Sequence, residues 1–149
     1  IIWKNAKEMK KVFLDANVVV DYLDTTSRYH LITIDLIKAL RKQDIQLFIS
    51  PSTFVIVNQL LLKFIKNRVM ANKKMIKLSQ LFKYSTEDQL VMDEVSKSDF
   101  SDPEDAVQYY SAKTIMPDFI ITHNNKDFPI NDKRVLNFHY LAGKMKIGY

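Results

Sequence analysis

Residues 11–21, KVFLDANVVVD, constrain the fold of this chain more than any other segment. A four-residue strand pattern ends in Asp15, and an apolar stretch of helical character follows at once. Residues 46–50 and residues 118–122 form two more short apolar strands, each followed by polar residues. Because parallel strands need long crossover connections, strands that alternate with helices predict a parallel sheet. The sequence therefore predicts an α/β protein with a mostly parallel central sheet and helices on both faces.

Helix signals fill the intervals between these strands. Residues 24–27, DTTS, offer N-caps for a helix that extends to about residue 42. Ser52 is the predicted cap of a helix over residues 53–66, with Val55, Leu62 and Ile65 packing inward. Further helices are predicted over residues 71–81, from residue 88 to about residue 97, and after Asp102, and a short strand is predicted near residues 82–85.

The length and composition indicate a single compact domain. The chain has 149 residues, of which 47% are hydrophobic and 26% charged, as in ordinary globular proteins. Met9 directly precedes the first strand, so we expect one domain over residues 9–149 and an upstream extension over residues 1–8. No apolar run reaches the ~18 residues that a membrane span needs. Residues 1–8 also lack the apolar core and cleavage site of a secretory signal.

Cysteine usage and charge narrow the chemistry. The absence of cysteine excludes disulfides, thiolate zinc sites and a cysteine nucleophile, and it fits the cytoplasmic location that we expect. Lys and Arg number 22 against 17 Asp and Glu, a net charge of +5. This excess favours a polyanionic partner through phosphate contacts, and a lysine-rich surface that serves solubility is the alternative.

Acidic residues follow the ends of several predicted elements. Asp15 ends the first strand, where open parallel sheets build their ligand sites, although it could equally cap the following helix. Asp102 and Asp105 flank Pro103 and fit a helix cap with an acid in the first turn. Asp105 is followed by Ala106 and Val107, which places it near a buried edge. These positions indicate a shared acidic pocket that binds a metal ion.

The loop after the third strand and the middle helix add polar candidates. Thr122 contributes a hydroxyl, while Asn124 and Asp127 offer oxygen ligands, although an Asn-Asn turn can end any strand. Asn58 lies within the predicted helix 53–66, where asparagine is slightly unfavourable. His123 is expected to lie apart from the other two histidines, so no histidine metal site is predicted.

Four segments resemble the PIN domains in order and spacing, and in particular the ribonuclease toxins of type II toxin-antitoxin pairs. They are LDANVVVDYL, ISPSTFVIVNQLL, SDFSDPEDAVQYYSA and DFIITHNNKDF, and the resemblance covers about residues 9–128. It implies a three-layer α/β/α fold with a central, mostly parallel sheet. It also implies that acidic side chains at the strand ends hold Mg²⁺ or Mn²⁺, which activates a water for in-line attack on an RNA phosphodiester.

The resemblance assigns roles to individual residues. Asp15 matches the strand-one ligand, Asp105 matches the ligand that opens the late helix, and Asn17 matches the polar residue that orients the first aspartate. Either Asn124 or Asp127 could be the last ligand. The catalytic and metal-binding set is therefore predicted as Asp15, Asp105 and Asp127, with Asn17, Asn58, Asp102, Glu104, Thr122 and Asn124 in support.

One departure from the family pattern concerns the middle helix. PIN nucleases usually carry a glutamate there, and Asn58 is expected at the matching position, as in a branch of similar sequences. Three acidic ligands instead of four predict weaker metal binding. The resemblance further implies an RNA substrate, a cognate antitoxin protein as partner, a homodimer, and no membrane association.

Two other functions compete with a ribonuclease. A degenerate PIN domain would bind RNA or a protein partner without cutting, an interpretation that Asn58 and Asn124 motivate. A phosphatase of the haloacid dehalogenase type also begins with an aspartate after its first strand. That chemistry needs a second aspartate two residues later, where this chain has Asn17.

Overall fold

The computed structural model describes residues 11–146, and within them five parallel strands form one sheet. The strand order is β3-β2-β1-β4-β5, and Phe13 of β1 lies between Phe48 of β2 and Ile120 of β4. The predicted extension over residues 1–8 lies outside the described residues. The strands are β1 (Lys11–Leu14), β2 (Gln46–Ile49), β3 (Lys83–Tyr84), β4 (Phe119–Thr122) and β5 (Val135–Asn137).

Helices connect the strands and cover both faces of the sheet. The described helices are α1 (Ala16–Leu23), α2 (His30–Lys42), α3 (Pro51–Phe64), α4 (Arg68–Leu81), α5 (Gln89–Ser96), α6 (Pro103–Lys113) and α7 (Phe138–Lys144), with a single 3₁₀ turn at Asn125–Asp127. None of the described helices is long and apolar enough to cross a membrane.

Alternating side chains of the central strand divide the core in two. Val12 and Leu14 belong to the larger cluster, which contains side chains of α1, α2, α3, α4 and α7. Phe13 points the other way and packs with Ile120 and with Tyr109 of α6. The side chains of Val12, Phe13 and Leu14 are completely buried. The predicted three-layer α/β/α fold with a parallel sheet is confirmed.

The predicted start of α2 is wrong. The helix begins at His30, and Tyr29 precedes it without a side-chain cap. Asp24 instead closes the turn after α1, where its carboxylate accepts hydrogen bonds from the backbone N–H and the hydroxyl of Thr26. An aspartate can close a turn or cap a helix with the same hydrogen bonds, so local sequence does not separate the two.

The cap and the inward face of α3 also differ from the prediction. Ser50, not Ser52, caps this helix, and Pro51 occupies its first turn. The buried positions are Thr53, Val57 and Leu61, whereas the side chains of Val55 and Leu62 are exposed. Apolar residues occur on every side of this helix, so the hydrophobic pattern does not select one face, and packing in the folded chain decides it.

The last strand and helix were not predicted. Strand β5 has three residues, too few for a period-two pattern, and pairs with β4. Helix α7 follows Asn137, whose side-chain oxygen accepts hydrogen bonds from the backbone N–H groups of His139 and Tyr140. An asparagine followed by the apolar residues Phe138 and Leu141 was a usable start signal.

Ser50 is the centre of a buried polar network that joins α3 to α6. Its Oγ accepts hydrogen bonds from the backbone N–H of Thr53 at 3.0 Å and from Nε2 of Gln108 at 2.9 Å. The hydroxyl of Thr53 donates to Oε1 of Gln108. All three side chains are almost fully buried. Loss of one member therefore leaves another buried polar group without its partner.

We expect Ser50→Ala to lower the free energy of unfolding by about 1–3 kcal/mol, because it removes a helix cap and a buried hydrogen-bond acceptor together. Urea denaturation followed by circular dichroism measures this loss. Ser79→Ala is the control, since the exposed Ser79 only donates to the carbonyl of Ile76. Equal stability of the two variants would contradict a structural role of the network.

Candidate functional site

Asp15 lies at the carboxyl end of the central strand and is 2% exposed. Its Oδ1 accepts a hydrogen bond from the backbone N–H of Ala16 at 2.7 Å, and its Oδ2 accepts one from the hydroxyl of Thr122 at 2.6 Å. Its backbone N–H donates to the carbonyl of Ile121. The two interpretations of Asp15 are therefore compatible, because the same carboxylate caps α1 and lies at the strand end.

No basic side chain within residues 11–146 forms an ion pair with Asp15. Burial raises the pKa of Asp15 to about 6, although the hydrogen bonds from Thr122 and Ala16 act in the opposite direction. Across residues 11–146 the two ion pairs lie elsewhere, between His123 and Asp21 and between Arg134 and Asp132. A buried carboxylate without a counter-charge is costly, so Asp15 is poised to bind a cation.

Asp105 faces the same region from α6. It is 7% exposed, and its pKa is also raised to about 6, first by burial and then by the negative charge of Asp15. Asp102, Asp127 and Glu104 add to this effect. Asp102 caps α6 through the backbone N–H of Glu104, so its capping role is observed. The fold thus brings acidic residues of three separate segments into one electrostatic neighbourhood.

The loop after β4 supports Asp15 through Thr122. The hydroxyl of Thr122 donates to Asp15 and accepts a hydrogen bond from the backbone N–H of Asn124 at 3.0 Å. The side chains of Asn124 and Asp127 are both exposed. Of these two, Asp127 is the residue whose charge raises the pKa of Asp105. Because Asn124 carries no charge, this effect does not compare the two residues as ligands, and the choice of the last ligand between them stays a prediction.

A cleft adjoins the acidic residues, and α3 contributes Ile56 to its wall. The cleft measures about 420 Å³, and Asn17 and Glu104 also line it. Asn58 is half-buried and lies two residues beyond Ile56, about 200° around the helix. Helix α3 thus contributes Ile56 to the lining of this cleft, which does not include Asp15 or Asp105, and the expected place of Asn58 at the acidic site stays a prediction. Because apolar residues occur on every side of α3, the sequence did not indicate which of its side chains borders the cleft.

The expectation that His123 lies apart from the other histidines is wrong. The rings of His123 and His139 have centroids 5.4 Å apart, and the ring of Tyr29 stacks on His123. Nε2 of His123 lies 2.6 Å from Oδ2 of Asp21. Burial lowers the pKa of His123, while the carboxylate of Asp21 opposes that shift. No sequence signal linked these residues, since they come from distant segments.

His123 also connects this cluster to the candidate site. Its backbone N–H donates to Oδ1 of Asn17 at 3.4 Å, and its side chain lines the cleft. Asn17 therefore contacts the loop after β4 and not the carboxylate of Asp15 in any hydrogen bond between described residues. The predicted role of Asn17 in orienting Asp15 stays a prediction.

The described carboxylates suit a hard cation with an incomplete protein shell. Within residues 11–146, no group of three or more His, Cys, Asp or Glu side chains is arranged to hold a metal ion. Asp15 and Asp105 nevertheless supply carboxylate oxygens with unmet negative charge. Mg²⁺ is commonly bound by one or two carboxylates, with water and substrate phosphates completing its shell. The residues present fit that kind of site.

A family model described as PIN domain matches residues 11–126, most of the chain. The chain belongs to the PIN domain family. No curated protein matches it. Among solved structures, this PIN domain is similar to a toxin-antitoxin complex from Klebsiella pneumoniae, with 19% identity and a TM-score of 0.63, over 84% of this chain and 95% of that chain.

A second solved structure supports the same fold. It is VapBC-1 from nontypeable Haemophilus influenzae, with 14% identity and a TM-score of 0.63, over 87% of this chain and 98% of that chain. Both proteins are covered almost completely, so the PIN domain described here has the extent of theirs. At these identities the similarity establishes the fold.

The raised pKa of Asp15 predicts that this residue destabilises the metal-free fold near neutral pH. Its ordinary value is 3.8 and its folded value is about 6, so the folded chain holds the proton more tightly. Stability from this group is therefore complete below about pH 4 and falls as the pH rises to about 6. We expect Asp15→Asn to raise the free energy of unfolding near neutral pH by about 1–3 kcal/mol, measured by urea denaturation in EDTA.

Asp24→Asn is the matched control for this prediction. Asp24 is half-buried, and hydrogen bonds from Thr26 hold the pKa of its carboxyl below the ordinary value. The sign is opposite, because stability from this group is present above the unfolded pKa and is lost as the pH falls. The control should not gain stability near neutral pH. An Asp15→Asn variant less stable than the wild type in EDTA would contradict the prediction.

Proposed function

We propose that this PIN domain is a metal-dependent endoribonuclease that hydrolyses RNA phosphodiester bonds with Mg²⁺ or Mn²⁺. The observation that carries the proposal is the pair of buried carboxylates, Asp15 and Asp105, whose pKa values are raised and which form no ion pair with a basic side chain within residues 11–146. Buried acids with perturbed pKa values are typical of functional sites and not of solvated surfaces. Membership of the PIN domain family supports the same chemistry.

Each residue of the site has a defined task in this proposal. Asp15 and Asp105 would hold the ion, with Asp127 as the exposed third acid. Thr122 fixes one oxygen of Asp15 by its hydrogen bond, and the backbone N–H of Ala16 fixes the other, so the carboxylate is oriented before substrate arrives. When bound, a divalent ion activates water and offsets charge on the phosphate.

The site is expected to bind metal weakly until RNA arrives. Three acids carry less charge than four, and Ile56 on α3 contributes none. Phosphate oxygens of the substrate would complete the shell. Binding of the metal and of RNA should therefore be cooperative, because each supplies part of the environment that the other needs.

A toxin role with an antitoxin partner and a homodimeric state is part of the same proposal. The similar solved structure from Klebsiella pneumoniae is described as a toxin-antitoxin complex. A groove of about 270 Å³ between α1, α3 and α4 is lined by apolar side chains, among them Leu23, Leu60 and Phe64. A groove of this kind suits an apolar segment of a partner protein.

A degenerate PIN domain that binds RNA or protein without cutting is the second candidate. Two observations favour it: Ile56 borders the cleft, and no three described side chains form a metal-binding group. Such a domain would bind RNA without any requirement for a divalent ion. The two candidates therefore differ in the effect of metal on RNA, which is directly measurable.

We expect purified protein to cleave single-stranded RNA with Mn²⁺ or Mg²⁺ and to be inactive in EDTA. Asp15→Asn and Asp105→Asn should each lower the cleavage rate by about 10²-fold or more, since each removes a charged ligand. Asp35→Asn, at an exposed position on α2, is the control and should cleave normally. Normal cleavage by both site variants would refute the proposal, and RNA binding without cleavage by the wild type would favour the degenerate domain.

The wall position of Ile56 predicts a gain of metal affinity. We expect Ile56→Glu to bind Mn²⁺ about tenfold more tightly than the wild type in titration calorimetry, because it adds a carboxylate to the cleft. Asn58→Glu is the matched control, with the same added charge about 200° around the helix, and should change affinity little. If Asn58→Glu bound Mn²⁺ more tightly and Ile56→Glu did not, Asn58 would be the residue of α3 that lies near the metal, which would contradict the prediction.

A further inference from the structure

The charges of this PIN domain are segregated along the chain. Residues 45–86 contain seven Lys and Arg and no Asp or Glu, whereas residues 87–105 contain eight Asp and Glu and one Lys. The acidic stretch includes Asp102 and Asp105 of the candidate site. The net charge of +5 therefore does not describe a uniformly basic surface. The cations of the basic stretch are Lys63, Lys66, Arg68, Lys73, Lys74, Lys77 and Lys83.

Two adjoining grooves gather cations of α2 and α4. Lys74 and Lys77 line the first groove, which measures about 260 Å³. The second groove measures about 400 Å³, and its cationic lining comes from the last part of α2. Tyr22, Ile34 and Leu81 line both grooves, so the two form one continuous surface. We call this surface the basic face, and its cations are Lys38, Arg41, Lys42, Lys74 and Lys77.

These cations are not neutralised by their surroundings. No acidic side chain of the described chain lines either groove. The ion pairs within residues 11–146 involve other residues. Lys74 and Lys77 are also three residues apart on α4, where side chains of a helix are neighbours, so their like charges repel each other. Unpaired cations collected in this way fit a polyanion better than they fit general solubility.

A further groove joins the basic face to the candidate site. Leu23, Thr25 and Lys74 line both this groove and the basic face, while Val20 lines both this groove and the cleft beside Asn17. Helix α1 connects the two ends over eight residues, about 12 Å. An extended RNA strand could therefore contact both ends at once when no partner protein fills this groove. Asp24 borders this route, and its carboxylate is already hydrogen-bonded to Thr26.

We propose that the basic face of α2 and α4 binds the phosphate backbone of single-stranded RNA and so supplies the affinity that the acidic site lacks. The inference rests on the proposed function. The carboxylates of Asp15, Glu104 and Asp105 repel phosphate groups, so attraction has to come from cations outside the cleft. A backbone contact of this kind positions the strand without reading its sequence.

Fluorescence anisotropy of a labelled single-stranded RNA, measured in EDTA, tests the basic face. The variant combines Arg41→Gln, Lys74→Gln and Lys77→Gln. We expect its affinity to fall about tenfold or more at about 0.1 M salt. We also expect the slope of log K against log salt to shrink by about 2, because three phosphate contacts are lost.

The matched control removes the same charge elsewhere, through Lys97→Gln, Lys133→Gln and Lys146→Gln, three exposed lysines outside the basic face. It should bind RNA within about twofold of the wild type. Wild-type binding by the basic-face variant would overturn the inference. Equal loss in the two variants would also overturn it, since net charge alone would then explain binding. Thermal melts establish that both variants are folded.

The measurement separates this inference from the proposed function. Binding in EDTA does not depend on a divalent ion or on cleavage, so a chain that binds through the basic face but never cuts RNA supports the inference and refutes the nuclease. If the wild type cuts RNA and the basic-face variant binds and cuts RNA equally well, the nuclease is supported and the inference is refuted. If the basic-face variant lost its binding to a partner protein but bound RNA like the wild type, the basic face would be assigned to that protein and the inference would be overturned.

Discussion

The buried carboxylate of Asp15 is the interaction on which the site depends. It joins three elements, because it ends β1, caps α1 and accepts the hydroxyl of Thr122 at the end of β4. Its burial is also the reason that its pKa is raised to about 6. The same contacts that hold the central strands and the first helix in register therefore leave a buried charge with which no basic side chain within residues 11–146 forms an ion pair. Asp15 is therefore both a structural contact of the fold and the first candidate ligand of the site.

The proposed divalent cation would offset the cost of burying the charge of Asp15. The structure keeps Asp105 beside Asp15 at the expense of mutual repulsion, which a hydrophobic pair at these positions would avoid. Repulsion of this kind is typical of sites that bind metal or substrate, where stability is given up for function. Ile56 limits the effect, because α3 adds an apolar wall where a further acid would strengthen the attraction for a cation.

Charge segregation extends this logic from the site to the whole molecule. Acidic residues cluster where the chain would carry out chemistry, and basic residues cluster on α2 and α4. Attraction and catalysis place opposite demands on charge, and one small surface cannot meet both. A separate basic face resolves the conflict, because electrostatic attraction acts over about 10 Å at ordinary ionic strength, whereas ligation requires contact.

The sequence by itself determined the parallel α/β fold, the position of Asp15 after β1 and the cap at Asp102, because these follow from local patterns of strands, turns and helix starts. It also indicated that Asp105 lies at a buried edge. It did not determine which face of α3 packs inward, because apolar residues occur on every side of that helix. It also did not determine the contact of His123 with Asp21, because these residues are 102 positions apart in the sequence. Only the tertiary structure decided that Ile56 borders the cleft, because the rotation of a helix about its axis is set by the surfaces against which it packs.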